Sequence, residues 1–352
     1  MNGWHPYFRF FTVLFAYWVA ASMAVNLTIT SRAFHNHSKV TLGQMIYGTA
    51  HRPFVYRAFP PAIIRAAIAI TPDRVASAIR KRFAQTDRYR NMTTANGYET
   101  GLEVEFVYSL LLMLVSLVGV GFVMREIIRE FVPHHSFIAD WVPPFLILSL
   151  PIMVSYFIYD FTNLFLFTLC LLFVLRSSPA WLYAIFPLSC LTKETSVLIL
   201  PLVACLWWRG MNWQRLITHL SCLGAIWIVT TCFVRWYFRD NPGVPVEWHL
   251  VDHNLPLLLS PLKWMQFDAF FLPRGVNIGL FAVIGALVYM GWRDANQRLR
   301  LAFAITTIAV VGMVTFGAFW DELRVYYETV PLTFVLMVLG VKRFYDRRIN
   351  ST

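Results

Sequence analysis

The sequence predicts an all-α, polytopic integral membrane protein with about ten transmembrane helices. It also predicts a large first extracytoplasmic loop that contains interfacial helices. Three observations support this. The chain of 352 residues is 58% hydrophobic and 14% charged, whereas a soluble domain of this size has about 25% charged residues. Apolar runs of bilayer length recur along it, starting with RFFTVLFAYWVAASMAVNLTI at residues 9–29. Aromatic residues are abundant, with Phe 30, Trp 13 and Tyr 15, as expected of rings lining both membrane interfaces.

The first run has few flanking positive charges and no small-residue cleavage site, so it reads as a retained helix and not a signal peptide. A polar insert covers residues 30–104. Further spans are expected at 105–124, 142–158 and 160–176, followed by a helical hairpin at 180–191 and 194–208. The last four are expected at 217–235, 276–292, 301–318 and 326–343, with a second extracytoplasmic loop at 236–275. Residues 1–352 thus form a single transmembrane domain without an internal repeat. Cys170, Cys190, Cys205, Cys222 and Cys232 all lie in or beside apolar runs, where cysteine behaves as a small hydrophobe, and none has metal-ligand spacing.

Orientation follows from the basic residues. With the N-terminus cytoplasmic, the inside segments hold 13 Lys and Arg and the outside segments hold 6, leaving aside residues 30–104. That insert holds eleven more, but the positive-inside rule applies to loops shorter than about 60 residues. Both termini are therefore expected inside. The net charge of +11 sits between apolar spans, so lipid headgroups and lipid phosphates are its expected counter-charges, not nucleic acid.

The insert contains HRPFVYRAFPPAIIRAAIAI, residues 51–70. Prolines divide it into an extended piece and a short helix beginning near Pro61, apolar except for Arg65, that suits an interfacial plane. Arg52 and Arg57 flank the aromatic patch of Phe54, Tyr56 and Phe59, either as headgroup anchors or as a grip on a lipid phosphate. The run Arg80, Lys81, Arg82, Arg88, Arg90 reads as a solvated or headgroup-facing helix face.

Three further corners carry charge beside apolar runs. Asp160 stands at a helix entrance with Asn163 on the same face, and is either an N-cap or a cavity-facing carboxylate. Lys193 and Glu194 occupy the hairpin tip, either as a capped, paired turn or as a phosphate-binding cation beside an acid/base group. Asp321, Glu322, Arg324 and Glu328 crowd the entrance of the last helix, with Arg324 and Glu328 at the spacing of an intrahelical ion pair. All three corners are expected on the same side. His249, Asp252 and His253 lie close together in the second loop, but no helical pattern there supports metal binding.

This order of parts resembles the GT-C superfamily of polytopic membrane glycosyltransferases. The resemblance covers most of the chain and rests on the loop with interfacial helices, the Tyr159-Asp160 helix entrance and the Lys193-Glu194-Thr195 tip. HRPFVYR and DELRVYY resemble segments of poorly characterised bacterial members. The resemblance implies transfer of a sugar from a polyprenyl-phosphate donor to an extracytoplasmic glycan or lipid acceptor in a bacterial inner membrane. The superfamily usually places its catalytic carboxylate early in the first outside loop, but here the first acidic residue after the opening helix is Asp73. The chemistry needs cations for the departing phosphate, for which Arg52, Arg57, Lys193 and Arg324 are candidates. It also needs a carboxylate to accept the acceptor's proton, for which Asp160, Glu194 and Glu322 are candidates. It requires no metal or other cofactor, and no Gly-rich nucleotide fingerprint is present. The alternatives are a transporter or flippase of a lipid-linked or anionic solute, and a non-catalytic subunit of a polysaccharide assembly system.

Overall fold

The computed structural model describes residues 6–30, 35, 37–87, 99–133, 135–153, 157–268 and 272–349. Helix α1 (Pro6–Thr30) is followed by three short helices, α2 (Leu42–Tyr47), α3 (Phe59–Ala69) and α4 (Asp73–Ala84). A capping box of Thr41 and Gln44 starts α2, and Gly48 ends it at φ 74°, a left-handed conformation that glycine adopts without penalty. Pro60 and Pro61 lie in the first turn of α3. Helix α4 buries none of its residues, and Arg80, Lys81 and Arg82 are exposed on it. Arg88 and Arg90 lie outside the described residues.

Helix α5 (Glu103–Phe131) has Glu103 and Glu105 in its first turn and Arg129 in its last, each sign matched to the helix dipole. Next come α6 (Ser136–Trp141) and α7 (Pro143–Ser149), which break at the Pro143-Pro144 pair. The helical segment therefore begins at Ser136 and not at the expected residue 142. Helix α8 (Tyr159–Leu175) is buried at fourteen of its seventeen positions, which makes it the central rod. It packs against α5, α9 (Pro179–Thr192) and α10 (Ile199–Trp207). Helix α11 (Trp213–Tyr237) is peripheral and buries only Leu216, Leu223 and Val234.

The second polar loop holds a π-helical turn at Leu250–Asn254, helix α12 (Leu255–Leu258), and strands β1 (Met265–Asp268) and β2 (Leu272–Asn277). The strands pair antiparallel, with Asp268 opposite Leu272. This hairpin is the departure from an all-helical chain. Its last residue, Asn277, caps α13 (Ile278–Asp294) by accepting the N–H groups of Gly279 and Leu280. Helices α14 (Gln297–Gly317) and α15 (Val330–Ile349) complete the chain.

Among the described residues, five helical segments are long and apolar enough to cross a membrane: Tyr7–Thr30, Glu103–Phe131, Ser136–Met153, Trp213–Tyr237 and Gln297–Gly317. They make the chain an integral membrane protein. The other expected spans coincide with α8, α9, α10, α13 and α15, which are shorter or more charged.

Between helices in lipid there is little hydrophobic driving force, so close packing and buried polar contacts hold them together. At the C-terminal end of α8, the fully buried Asp140 carboxylate accepts from Arg9 Nε at 2.6 Å, Arg125 Nε at 2.6 Å and Arg129 Nη2 at 3.2 Å. Arg176 pairs there with Glu126 at 2.8 Å and Glu130 at 2.7 Å. Helices α13 and α15 cross at Gly291 and Gly340, where a Cβ on Gly291 would overlap the Leu336 carbonyl. Gly291→Val should therefore force these helices apart and cost on the order of 1–3 kcal/mol. Thermal unfolding in detergent measures this, and an unchanged midpoint would exclude the close crossing.

Candidate functional site

At the N-terminal end of α8 the chain buries charges drawn from three distant segments. The helix begins at Tyr159, so Asp160 is its second residue and does not cap its N-terminus. Its Oδ2 instead turns back to accept the Phe157 N–H at 3.0 Å, and its Oδ1 lies 3.5 Å from Arg324 Nη1. Arg324 also donates to Glu322 at 2.8 Å and lies over the Phe157 ring, 4.5 Å from its centre. Burial opposes the Arg324 charge, but Glu322 and Asp160 outweigh it and hold the guanidinium protonated.

Glu328 does not form the intrahelical pair with Arg324 that its spacing predicts. Residues 323–326 form a 3-10 turn, and Glu328 follows in an irregular turn ahead of α15, so the two side chains diverge. Glu328 is fully buried and accepts from Lys193 Nζ at 2.9 Å, Asn163 Nδ2 at 3.2 Å and the Thr195 hydroxyl. Burial alone would raise its pKa, but Lys193 and the Thr195 hydroxyl hold the carboxyl below the usual carboxylate range. Lys193 and Glu194 are adjacent but do not pair with each other. Glu194 faces Arg57 at 3.6 Å.

The two polar loops close over this end. Arg52 donates to the Gly243 carbonyl at 2.7 Å, and its backbone N–H donates to the Pro242 carbonyl at 2.8 Å. Gly243 has φ +97°, and a Cβ there would lie 2.5 Å from the Arg52 oxygen. Asn241 adds bonds to the carbonyls of Gly48 and Ala50. His35 fastens the insert to the start of α8. Its Nδ1 meets the Val40 carbonyl at 3.0 Å, and its Nε2 accepts the Ile158 N–H at 3.0 Å. The second contact requires an unprotonated Nε2, which identifies the neutral tautomer.

Within this frame is a cavity of about 310 Å³. Arg57, Lys193, Arg235 and Arg324 supply its cations, and Glu194, Glu247 and Glu322 its carboxylates. Arg57 lies between the rings of Phe54 and Tyr159, 5.6 and 5.4 Å from their centres. His249 lines the opposite wall, stacked on Phe319 at 3.9 Å, with Nε2 3.5 Å from Glu247 and Nδ1 3.2 Å from Asp252. His253 instead meets Asp321 at 2.9 Å.

Of the residues selected from sequence, Arg57, Lys193, Glu194, Glu322 and Arg324 share the cavity wall. Arg52 does not line it and is the clasp between the loops. Asp160 stands behind the wall, 5% exposed, where it holds Arg324. Sequence reasoning did not select Arg235 and Glu247 for the site. Arg235 is one of several basic residues beside apolar runs, and Glu247 lies in a loop without a helical pattern, so neither stands out in the sequence. No family model, characterised protein or solved structure matches this chain.

Burial, reinforced by the Arg324 charge, pushes the His35 pKa down to about 4 from 6.5. The unfolded chain therefore binds a proton in a window where the folded chain does not. Stability is full above about pH 6.5 and is lost as the pH falls toward 4, by on the order of 3 kcal/mol. Unfolding midpoints across this range should fall further for the wild type than for His35→Gln; equal slopes would clear His35. Separately, Lys193→Met leaves Glu328 buried without its cation, which should cost about 3–5 kcal/mol. Adding Glu328→Leu should recover most of that loss in chemical unfolding, and a double variant as unstable as the single one would contradict the pairing.

Proposed function

We propose that the chain is a GT-C-like membrane glycosyltransferase. It moves a sugar from a polyprenyl-phosphate-linked donor to an extracytoplasmic glycan or lipid acceptor. One observation carries this reading: a cavity walled by four cations and three carboxylates, at the ends of apolar helices. In such a transfer the acceptor hydroxyl oxygen forms a bond to the anomeric carbon. The bond from that carbon to the phosphate oxygen breaks, and its electron pair leaves with the phosphate. The hydroxyl proton goes to a carboxylate. Fixed cations stabilise the charge on the departing phosphate, and a positioned base contributes about 10²–10⁴-fold.

The wall offers Glu194, Glu247 and Glu322 as bases. Glu194 faces Arg57 at 3.6 Å and Glu322 accepts from Arg324 at 2.8 Å, so both carboxylates are already engaged with a guanidinium. Glu247 faces His249 and no arginine or lysine among the described residues, which favours it for proton removal. Asp160 becomes a positioning residue that acts through Arg324. In this reading the ten helical segments are spans, both termini are cytoplasmic, and loops 30–104 and 236–275 meet outside a bacterial inner membrane. The 13-to-6 bias of basic residues supports that orientation. A transporter would concentrate ionisable groups near the bilayer midplane. Here they belong to helix ends: Asp160 enters α8, Lys193 follows α9 and Arg324 precedes α15. A non-catalytic subunit would have no need of one pocket shared by the hairpin tip and the last loop.

Deleting the gene should remove one sugar from the envelope glycans and build up its lipid-linked precursor. On complementation, Glu247→Gln should reduce transfer about 100-fold or more at normal membrane expression. Glu194→Gln and Glu322→Gln test the other two carboxylates. Unaltered glycans in the deletion strain, or full transfer by all three variants, would overturn the reading.

A further inference from the structure

The charges of the cavity are unevenly matched. Arg57 faces Glu194 at 3.6 Å, Lys193 contacts Glu328 at 2.9 Å, and Arg324 donates to Glu322 at 2.8 Å. Arg235 is the exception. It lines the same cavity, yet among the described residues it has no ion pair and no hydrogen bond, and it lies over the Tyr56 ring 5.9 Å from the ring centre. An arginine that lines a cavity without a counter-charge is available to an anion.

Its position suggests the source of that anion. Arg235 sits in the last turn of α11, the least buried of the long apolar helices. The outer face of that helix presents Ile228, Val229, Phe233 and Trp236, each more than half exposed. Such a face lies against lipid chains, and the aromatic residues near its end mark the interface. Arg235 therefore borders both the wet cavity and the bilayer. The next arginine, Arg239, does not line the cavity. It lies over Trp236 and contacts Asp240 at 3.6 Å, as an ordinary interfacial anchor does.

We propose that Arg235 is the phosphate-binding residue of a portal through which an amphiphile with a phosphate headgroup and a long apolar tail enters the cavity from the bilayer, its tail lying along the outer face of α11. The proposal deepens the transferase reading, whose lipid-linked donor is such an amphiphile, by naming where its phosphate binds, and the binding itself does not require that a sugar be transferred. Charge and apolar surface meet at one residue, and a lipid phosphate satisfies both. A soluble phosphate would use only the charge.

The test uses the full chain in nanodiscs of zwitterionic lipid, with labelled geranylgeranyl monophosphate as the probe. Unlabelled geranylgeraniol and inorganic phosphate serve as competitors. Wild type should bind the probe saturably, with each competitor weaker by about tenfold or more. Arg235→Gln should weaken binding about tenfold, Arg235→Lys should weaken it less, and Arg239→Gln should leave it unchanged. Unaltered binding by Arg235→Gln, or an equal loss in Arg239→Gln, would overturn the assignment. Inorganic phosphate competing as well as the probe would reduce the site to one for free anions and would refute the portal. If the probe binds as expected while a deletion strain keeps all its glycans, the portal stands and the transferase reading fails.

Discussion

The end of the molecule at which α8 begins depends on one buried carboxylate. Glu328 has no exposure, and an unpaired charge at such a site costs several kcal/mol. Lys193, Thr195 and Asn163 all donate to it, from the hairpin tip and from the central helix. That requirement draws three segments far apart in sequence to one point. Arg324, four residues before Glu328, is then brought over the Phe157 ring and beside Asp160. The cavity wall is thus a consequence of satisfying charges that the fold has buried.

The two ends of α8 use the same chemistry in different ways. Around Asp140, three arginines converge on a single fully buried carboxylate, and Arg176 binds two more acids nearby. That cluster joins α1, α5, α6 and the end of α8, and its cations are matched by carboxylates. At the other end the pairs are spread around a cavity, and the matching is incomplete. Among the described residues Arg235 has no acid, and Glu247 has only a histidine. A closed network rigidifies a bundle, whereas an open one leaves groups available for a ligand or for proton transfer.

The polar loops supply the remaining wall. Asn241, Arg52 and Gly243 join the second loop to the first through hydrogen bonds that end on backbone carbonyls. Asn254 does similar work farther along, donating to the carbonyls of Val314, Thr315 and Ala318 while accepting the Trp320 N–H. These contacts bring Glu247 and His249 to the cavity, although neither lies on a long helix. The loops thereby complete the site that the helix ends begin.

The sequence by itself determined the membrane class and the position of nearly every long helix. Apolar runs of bilayer length are a local property that needs no partner to be read. It also marked the 160, 193–194 and 321–324 corners, because a charge beside such a run is conspicuous wherever the chain goes. Only the tertiary structure decided who pairs with whom. Spacing matched Glu328 with Arg324, but the irregular turn after residue 326 sends Glu328 to Lys193 instead. Asp160, which the sequence offers as a cap or a cavity-facing carboxylate, is buried beside Arg324, and Arg52, which it offers as a headgroup anchor or a phosphate grip, joins the two loops. The sequence does not single out Arg235 and Glu247, because what marks them is the cavity they line and the absence of a counter-charge among the described residues, and both are visible only in three dimensions.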